Sequence, residues 1–242
     1  MKLADLANKK ILIAGYGKEG TSTHDFLKRF VPSAKVEITD QKDGPDYLDK
    51  QDAYDLVIKS PGIHKRYMRV RYTTATNIFF ANTRGMIIGV TGTKGKSTTS
   101  SLIYAIVKQA GKKVHLVGNI GNPMLNELTP GEDKDDIYVC ELSSYQLDDI
   151  EHSPHIAVII NVFPEHMNYH GTVEDYWGAK KRIVQFSLPA DFFVYNPRFN
   201  ELQSLAKETK APAIPYVDTL PFPEKDITLL GVNNKENIRA AV

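Results

Sequence analysis

The sequence is short of cysteine, of net charge and of long apolar runs, and each shortage removes a class of function. One cysteine, Cys140, in 242 residues leaves no partner for an internal disulfide, which excludes a disulfide-stapled fold and suits a reducing compartment. Lying in the apolar stretch "IYVC" (137–140), it reads as a small buried core residue. Thirty Lys and Arg against 29 Asp and Glu give a formal charge of +1, too little for a global field that draws nucleic acid or an anionic membrane to the surface. Any anion has to be captured locally. No run approaches the ~18 apolar residues of a membrane span, and the N-terminal "MKLADLANKK" holds no continuous apolar signal region. The expectation is a cytoplasmic, monomeric protein with neither nucleic acid nor membrane as partner.

What is present is an alternation of short apolar runs with helix-like stretches. "ILIAG" (11–15), "KVEITD" (35–40), "YDLVIKS" (54–60), "MIIGV" (86–90), "KVHLVG" (113–118), "IYVCEL" (137–142), "IAVIIN" (156–161) and "DFFVYN" (191–196) read as strands. Helices are expected near 20–30, over 96–110 with Gly111 as terminator, and around 173–187. Such alternation predicts an α/β fold with mainly parallel strands. It divides into a Rossmann-like unit over residues 1–83 and a P-loop ATPase-type α/β unit over 84–242, joined near "ANTRG" (81–85). The Pro-rich passage 212–223 reads as turns or loop, because proline cannot donate to a sheet ladder.

Two glycine-rich loops follow strands and open helices. "GYGKEG" (15–20) matches G-x-G-x-x-G, with Asp40 at the end of the next strand. Gly15, Gly17 and Gly20 permit a tight turn and close backbone approach to a diphosphate at a helix N-terminus. That chemistry specifies a diphosphate more firmly than a nicotinamide, so an NAD-dependent oxidoreductase and a UDP-linked substrate both satisfy it. In the second case Asp40, Gln41 and Lys42 lie near the nucleoside end, and Lys18 and Glu19 occupy the loop itself, where Glu19 would repel a pyrophosphate. "SPG" (Ser60, Pro61, Gly62) ends a strand at the same carboxyl edge. In "TGTKGKST" (91–98) the strict Walker spacing fails, since Val90 stands where the first glycine belongs. Gly92, Thr93, Lys94, Gly95, Lys96, Ser97 and Thr98 nonetheless supply backbone N–H groups for phosphates, an ammonium for the terminal phosphates and a hydroxyl for Mg²⁺. Glu141, at the carboxyl end of "IYVCE", is placed as a further Mg²⁺ ligand. Ser143, Ser144 and Gln146 either contact substrate or cap the next helix.

Five segments in this order, "GTKGKST" (92–98), "GNIG" (118–121), "ELSSYQL" (141–147), "EHMNYHGTVEDYWGAKKRI" (165–183) and "NNKENIRAA" (233–241), resemble the Mur ligases of peptidoglycan synthesis. Within that family the chain looks most like the members that add D-glutamate to UDP-N-acetylmuramoyl-L-alanine. The resemblance implies ATP-dependent amide bond formation through an acyl phosphate, with ATP and two Mg²⁺ ions. It implies catalytic roles for Lys96, His166 and Lys180, with His166 and a carbamylated Lys180 at the second ion and Ser97 and Glu141 at the first. Ser143 is placed at the substrate, Asn119 is implied at the substrate or the nucleotide, and Asn234 and Asn237 at adenine. Asn233–Asn234 departs from the family's usual His-Asn. The chain is expected to represent the first two domains without the third, so that binding is retained and full ligation is not; a non-catalytic nucleotide-binding remnant is the alternative.

Overall fold

The computed structural model describes residues 1–217, 219–220, 222–229 and 231–242. The first sheet is built from β1 (Lys10–Ala14), β2 (Lys35–Thr39), β3 (Leu56–Lys59) and β4 (Tyr72–Thr73), with α1 (Lys18–Phe30) between β1 and β2 and α2 (Ala75–Asn82) after β4. β5 (Met86–Thr91) begins the second sheet, followed by α3 (Lys96–Gln109), β6 (Val114–Gly118), α4 (Met124–Glu127), β7 (Ile137–Glu141) and α5 (Ser144–Leu147). The chain continues through β8 (Ile156–Ile159), α6 (Met167–His170), α7 (Val173–Gln185), β9 (Phe192–Tyr195), α8 (Asn200–Glu208), β10 (Ala213–Pro215) and α9 (Val232–Ala241).

Every paired strand in both sheets is parallel, in the orders β2-β1-β3-β4 and β10-β9-β8-β5-β7-β6. Helices cover both faces of such sheets, so their strands are apolar throughout rather than alternating. Ile11, Leu12, Ile13 and Ala14 of β1, and Val139 and Cys140 of β7, are almost completely buried. The topology also explains where the glycine loops lie. β1 sits between β2 and β3, and β5 between β7 and β8; at such a strand the crossovers diverge in opposite directions and leave a crevice at the carboxyl ends. "GYGKEG" leaves β1 and "TGTKGKST" leaves β5, each at its sheet's switch point.

The helix ends follow local chemistry. α1 stops at Phe30 because Val31 precedes Pro32 and takes φ −137° instead of a helical angle. α3 ends before Gly111, which adopts φ +73° and returns its N–H to Lys108 O. Thr172 caps α7 by accepting the Asp175 N–H, and Glu174 and Asp175 face the positive end of that helix.

One apolar cluster runs across the two sheets, joining Phe26 and Leu27 of α1, Ile78 and Phe79 of α2, Met124 and Leu125 of α4, and Tyr138 of β7. Phe79 and Tyr138 meet edge to face at 5.0 Å. A buried polar knot sits beside it: Lys59 Nζ lies 2.5 Å from Asp149 Oδ2, Tyr72 OH donates to Asp149 Oδ1 at 3.0 Å, and Asn77 Nδ2 donates to Asp149 O at 2.8 Å. Lys59, Tyr72 and Asn77 precede β5 and Asp149 follows α5, so the knot fixes one sheet against the other.

Two expectations change. The stretch 212–223 is not loop throughout: Ala213–Pro215 pairs with β9 as the edge strand β10, where Pro215 has no second neighbour to deprive of a hydrogen bond. Asp218 and Pro221 of that stretch lie outside the described residues. β4, α2, α4, α6, α8 and α9 lie outside the expected elements; every residue from Ala75 to Ala81 is buried, so α2 carries no polar face and no helical period to read.

Candidate active site

In the first loop, Gly15 takes φ +88°, and a Cβ there would stand 2.5 Å from Ser60 Oγ; at Gly20 it would stand 2.1 Å from Gly15 O. Only glycine allows α1 to start this close to its own loop and to the "SPG" turn. Asp40 braces the loop by accepting the Tyr16 N–H at 2.7 Å and the Lys42 N–H at 3.2 Å. Those hydrogen bonds hold its carboxyl below the ordinary carboxylate range. Gly15, Gly17, Lys18, Glu19, Asp40, Gln41, Ser60 and Gly62, joined by Tyr47 and Ile63, line a cleft of about 390 Å³. Lys42 is not among its walls; its backbone caps Asp40 and its side chain is exposed.

A second cleft, also about 390 Å³, begins where the first ends: Lys18, Glu19, Pro61 and Gly62 on one side face Asn119, Ser143, Tyr145 and Gln146 on the other. Ser143 closes a capping box with Gln146, accepting the Gln146 N–H while its own N–H and hydroxyl donate to Gln146 Oε1. The cap and the cleft-facing role therefore coexist. Asn119 Nδ2 donates to Glu141 Oε1 at 2.9 Å. Glu141 is 1% exposed, its Oε2 has no partner, and its charge acts on Lys96.

The second loop wraps Lys96. Its Nζ donates to Gly92 O at 3.1 Å and Thr93 O at 3.0 Å; burial lowers its pKa, partly offset by Glu141 and Glu165. Lys94 Nζ pairs with Glu165 Oε1 at 2.5 Å. Gly95 adopts φ +86° as the residue before α3, with Asn237 so close that a Cβ would lie 2.1 Å from its Oδ1. Ser97, on the first turn of α3, is exposed. Lys94, Gly95, Thr98, Asn234 and Asn237, with Phe163, Arg198 and Phe199, line a cleft of about 610 Å³ beside this loop.

Asn161 escaped the sequence reading. It follows β8, beside β5, and its Oδ1 accepts the N–H groups of Thr93 at 2.9 Å and Lys94 at 3.0 Å while its Nδ2 donates to Lys94 O. An amide at the carboxyl end of a strand neighbouring the loop strand was the available signal. Tyr176 was missed as well: its hydroxyl lies 2.9 Å from Thr93 Oγ1, and its ring lies 6.4 Å from the His166 ring and 5.0 Å from Lys180 Nζ.

Lys180 is 1% exposed and donates to Gly92 O at 2.9 Å and Thr91 Oγ1 at 3.3 Å. Burial, with the Lys96 ammonium nearby, pushes its pKa down to about 7. His166 holds a left-handed backbone, φ +60°, uncommon for a residue other than glycine. Its ring packs 5.1 Å from Tyr145, a wall of the second cleft, and its Nε2 lies 3.7 Å from Glu165 Oε2. Among the described residues no three His, Cys, Asp or Glu side chains gather to hold a metal ion.

The sequence profile of the Mur ligase middle domain matches residues 90–221, more than half of the chain. The chain belongs to the Mur ligase family. The UDP-N-acetylmuramoylalanine–D-glutamate ligase of Leuconostoc mesenteroides is 30% identical to it, over all of this chain and 64% of that relative. This Mur ligase chain spans about three fifths of the length of the curated relatives it matches. Among solved structures, the UDP-N-acetylmuramate:L-alanyl-gamma-D-glutamyl-meso-diaminopimelate ligase of Neisseria meningitides superposes with TM-score 0.65 at 16% identity, over 96% of this chain and 91% of that one. The MurF ligase of Thermotoga maritima in complex with ADP gives 0.55 at 16%, over 99% and 60%. These likenesses show the Mur ligase fold, α/β with parallel sheets. No helix among the described residues is long and apolar enough to cross a membrane.

Proposed function

We propose that this chain carries the two anion cradles of a ligase that joins D-glutamate to UDP-N-acetylmuramoyl-L-alanine at the expense of ATP. One observation supports this above the rest. Lys18, Glu19 and Gly62 line both the cleft at Gly15 and Asp40 and the cleft at Asn119 and Ser143, and Asn119 bonds the carboxylate that acts on Lys96. A molecule held by its diphosphate at the first loop thus has a polar path toward the second loop. The working division is 1–83 for the UDP handle and 84–242 for ATP, with adenine in the cleft of Asn234 and Asn237.

A carboxylate resists an amine because its charge repels the nucleophile and oxide leaves poorly. Transfer of the γ-phosphoryl group to the muramoyl-alanine carboxylate gives an acyl phosphate; the amine of D-glutamate then displaces phosphate and forms the amide. The work of the protein is positioning and charge neutralisation. Lys96 turns from the Gly92 and Thr93 carbonyls to the terminal phosphates, and Asn119 and Ser143 orient the acceptor carboxylate.

The donors present fit Mg²⁺. Glu141 offers an enclosed oxygen without a partner, and Ser97 an exposed hydroxyl on the first turn of α3; hard oxygen donors plus phosphate are what that ion prefers. When bound, Mg²⁺ supplies neutralisation of phosphate charge. At a second ion we place His166 and Lys180, the latter as its carbamate. An amine with pKa near 7 is substantially neutral at physiological pH, the form that adds carbon dioxide. Such chemistry belongs in the cytoplasm, with the chain acting as a monomer and using neither nucleic acid nor membrane.

The test is mass spectrometry after incubation with UDP-N-acetylmuramoyl-L-alanine, ATP, Mg²⁺ and D-glutamate, with and without the region of a full-length relative that lies beyond the match. The reading expects UDP-N-acetylmuramoyl-L-alanyl-D-glutamate when that region is supplied, and thermal stabilisation of the chain by the UDP substrate alone. Absence of both rejects it.

A further inference from the structure

Glu19 is the residue of the first loop that the proposed reaction leaves unexplained. An acidic side chain in a diphosphate cradle works against its ligand. In the structure it lines both substrate clefts, its Oε1 is enclosed without a hydrogen-bond partner, and the Gln146 side chain on the facing wall acts to favour its ionised form. Lys59 is the cation that acts on it, and Lys59 is already committed: it is fully buried against Asp149, which also accepts from Tyr72 OH. Two carboxyl groups, the buried Asp149 and the partly buried Glu19 with its enclosed Oε1, thus depend on a single cation. Lys59⁺ and Asp149⁻ balance each other, and an ionised Glu19 would leave one uncompensated negative charge in a desolvated place. Lys18 lines the same clefts with an exposed side chain and is not among the groups that act on the Glu19 carboxyl.

Resting on the functional reading above, we propose that Glu19 works as a neutral carboxylic acid: its O–H donates to the diphosphate of the UDP substrate, and the first cradle is therefore closed to that substrate when Glu19 ionises. A protonated carboxyl has one donor and can serve an anion, whereas a carboxylate only accepts. Burial raises the Glu19 pKa to about 7 despite the opposing Gln146 and Lys59 contributions, so the transition falls in the physiological range. Gln146, which faces Glu19 across the second cleft, is itself held by Ser143, whose hydroxyl and N–H both donate to Gln146 Oε1.

The experiment is calorimetric titration of UDP-N-acetylmuramoyl-L-alanine into the chain from pH 6 to 8.5. Its diphosphate diester and alanyl carboxylate are ionised throughout. The expected Kd is flat at the acid end and rises toward tenfold per pH unit above 7, reaching roughly thirtyfold at pH 8.5 for a single proton. Glu19→Gln, neutral at every pH, removes that slope. In the unaltered chain, titration at pH 8 in two buffers of different ionisation enthalpy reads net proton uptake on binding, independently of whether the variant folds. A measurable Kd with no pH slope and no proton uptake overturns the inference and leaves the functional reading standing. No binding at any pH rejects the functional reading, and the inference with it.

Discussion

Gly95→Ala probes the junction between the phosphate loop and α9. Gly95 stands at φ +86°, and an L-residue in that region costs about 1–2 kcal/mol. The new Cβ would also lie 2.1 Å from Asn237 Oδ1 and 2.9 Å from its Cγ. Asn237 is 4% exposed and donates to Asn234 Oδ1, so making room moves both asparagines of the proposed adenine cleft. Overpacking of this kind costs about 1–3 kcal/mol, for a total of roughly 2–5 kcal/mol. At about 2–4 °C per kcal/mol for a chain of this size, Tm falls by roughly 4 °C or more. ADP affinity, read by calorimetric titration, falls at least about tenfold, the equivalent of 1.4 kcal/mol. Gly178→Ala in α7 is the control, because a Cβ there meets nothing within 4 Å; it is expected to stabilise the helix by about 0.5–1 kcal/mol. A Gly95→Ala protein with unchanged Tm and unchanged ADP affinity would refute the loop geometry.

Lys96→Met removes the ammonium cradled by Gly92 O and Thr93 O; ATP affinity measured by titration should drop by an order of magnitude or more, and equal affinity would remove Lys96 from the phosphate site. Asp149→Asn strands the fully buried Lys59 ammonium and should cost about 3–5 kcal/mol in urea unfolding, whereas Arg69→Ala, which breaks exposed pairs with Asp49 and Asp52 and an exposed hydrogen bond to Asp49 O, should move the midpoint far less. Lys180 has a folded pKa near 7 against 10.5 for a free side chain. Between those values the unfolded chain binds the extra proton, so this group destabilises the fold and stability rises with pH across the window, by at most about 1.4 kcal/mol per unit. Denaturant midpoints from pH 7 to 10 in bicarbonate-free buffer should therefore climb less steeply in Lys180→Met, and parallel curves would show that the amine is not desolvated.

The strands were legible because buried parallel strands are written as short apolar runs, and β1, β5, β7 and β8 each appear as one. Both glycine loops were legible for the same reason, since each follows such a run and the switch-point topology then requires a crevice. α2 was not legible because burial on all sides erases the period that marks a surface helix. β10 was hidden by Pro215, a residue that forbids a central strand and permits an edge one. In the site, Gly92–Thr98 and Glu141 were read from residue type and position, and Lys180 only through the resemblance to the Mur ligases. Asn161 and Tyr176 were not read, because they act by bracing Thr93 and Lys94, and an amide or a phenol that braces a backbone has no spacing of its own. The role of Glu19 was equally invisible: the counter-charge of Lys59 is consumed by Asp149, ninety residues away in sequence.

The central claim is that a UDP-sugar acid and ATP meet between the two glycine loops. A crystal structure of the chain with UDP-N-acetylmuramoyl-L-alanine and a non-hydrolysable ATP analogue tests it directly. The account predicts the diphosphate at Gly15–Lys18, the γ-phosphate at Lys96, and the alanyl carboxylate beside Asn119 at roughly 3–3.5 Å from the γ-phosphorus. A diphosphate bound away from Gly17, or a carboxylate pointing out of the cleft shared with Asn119 and Ser143, would contradict it.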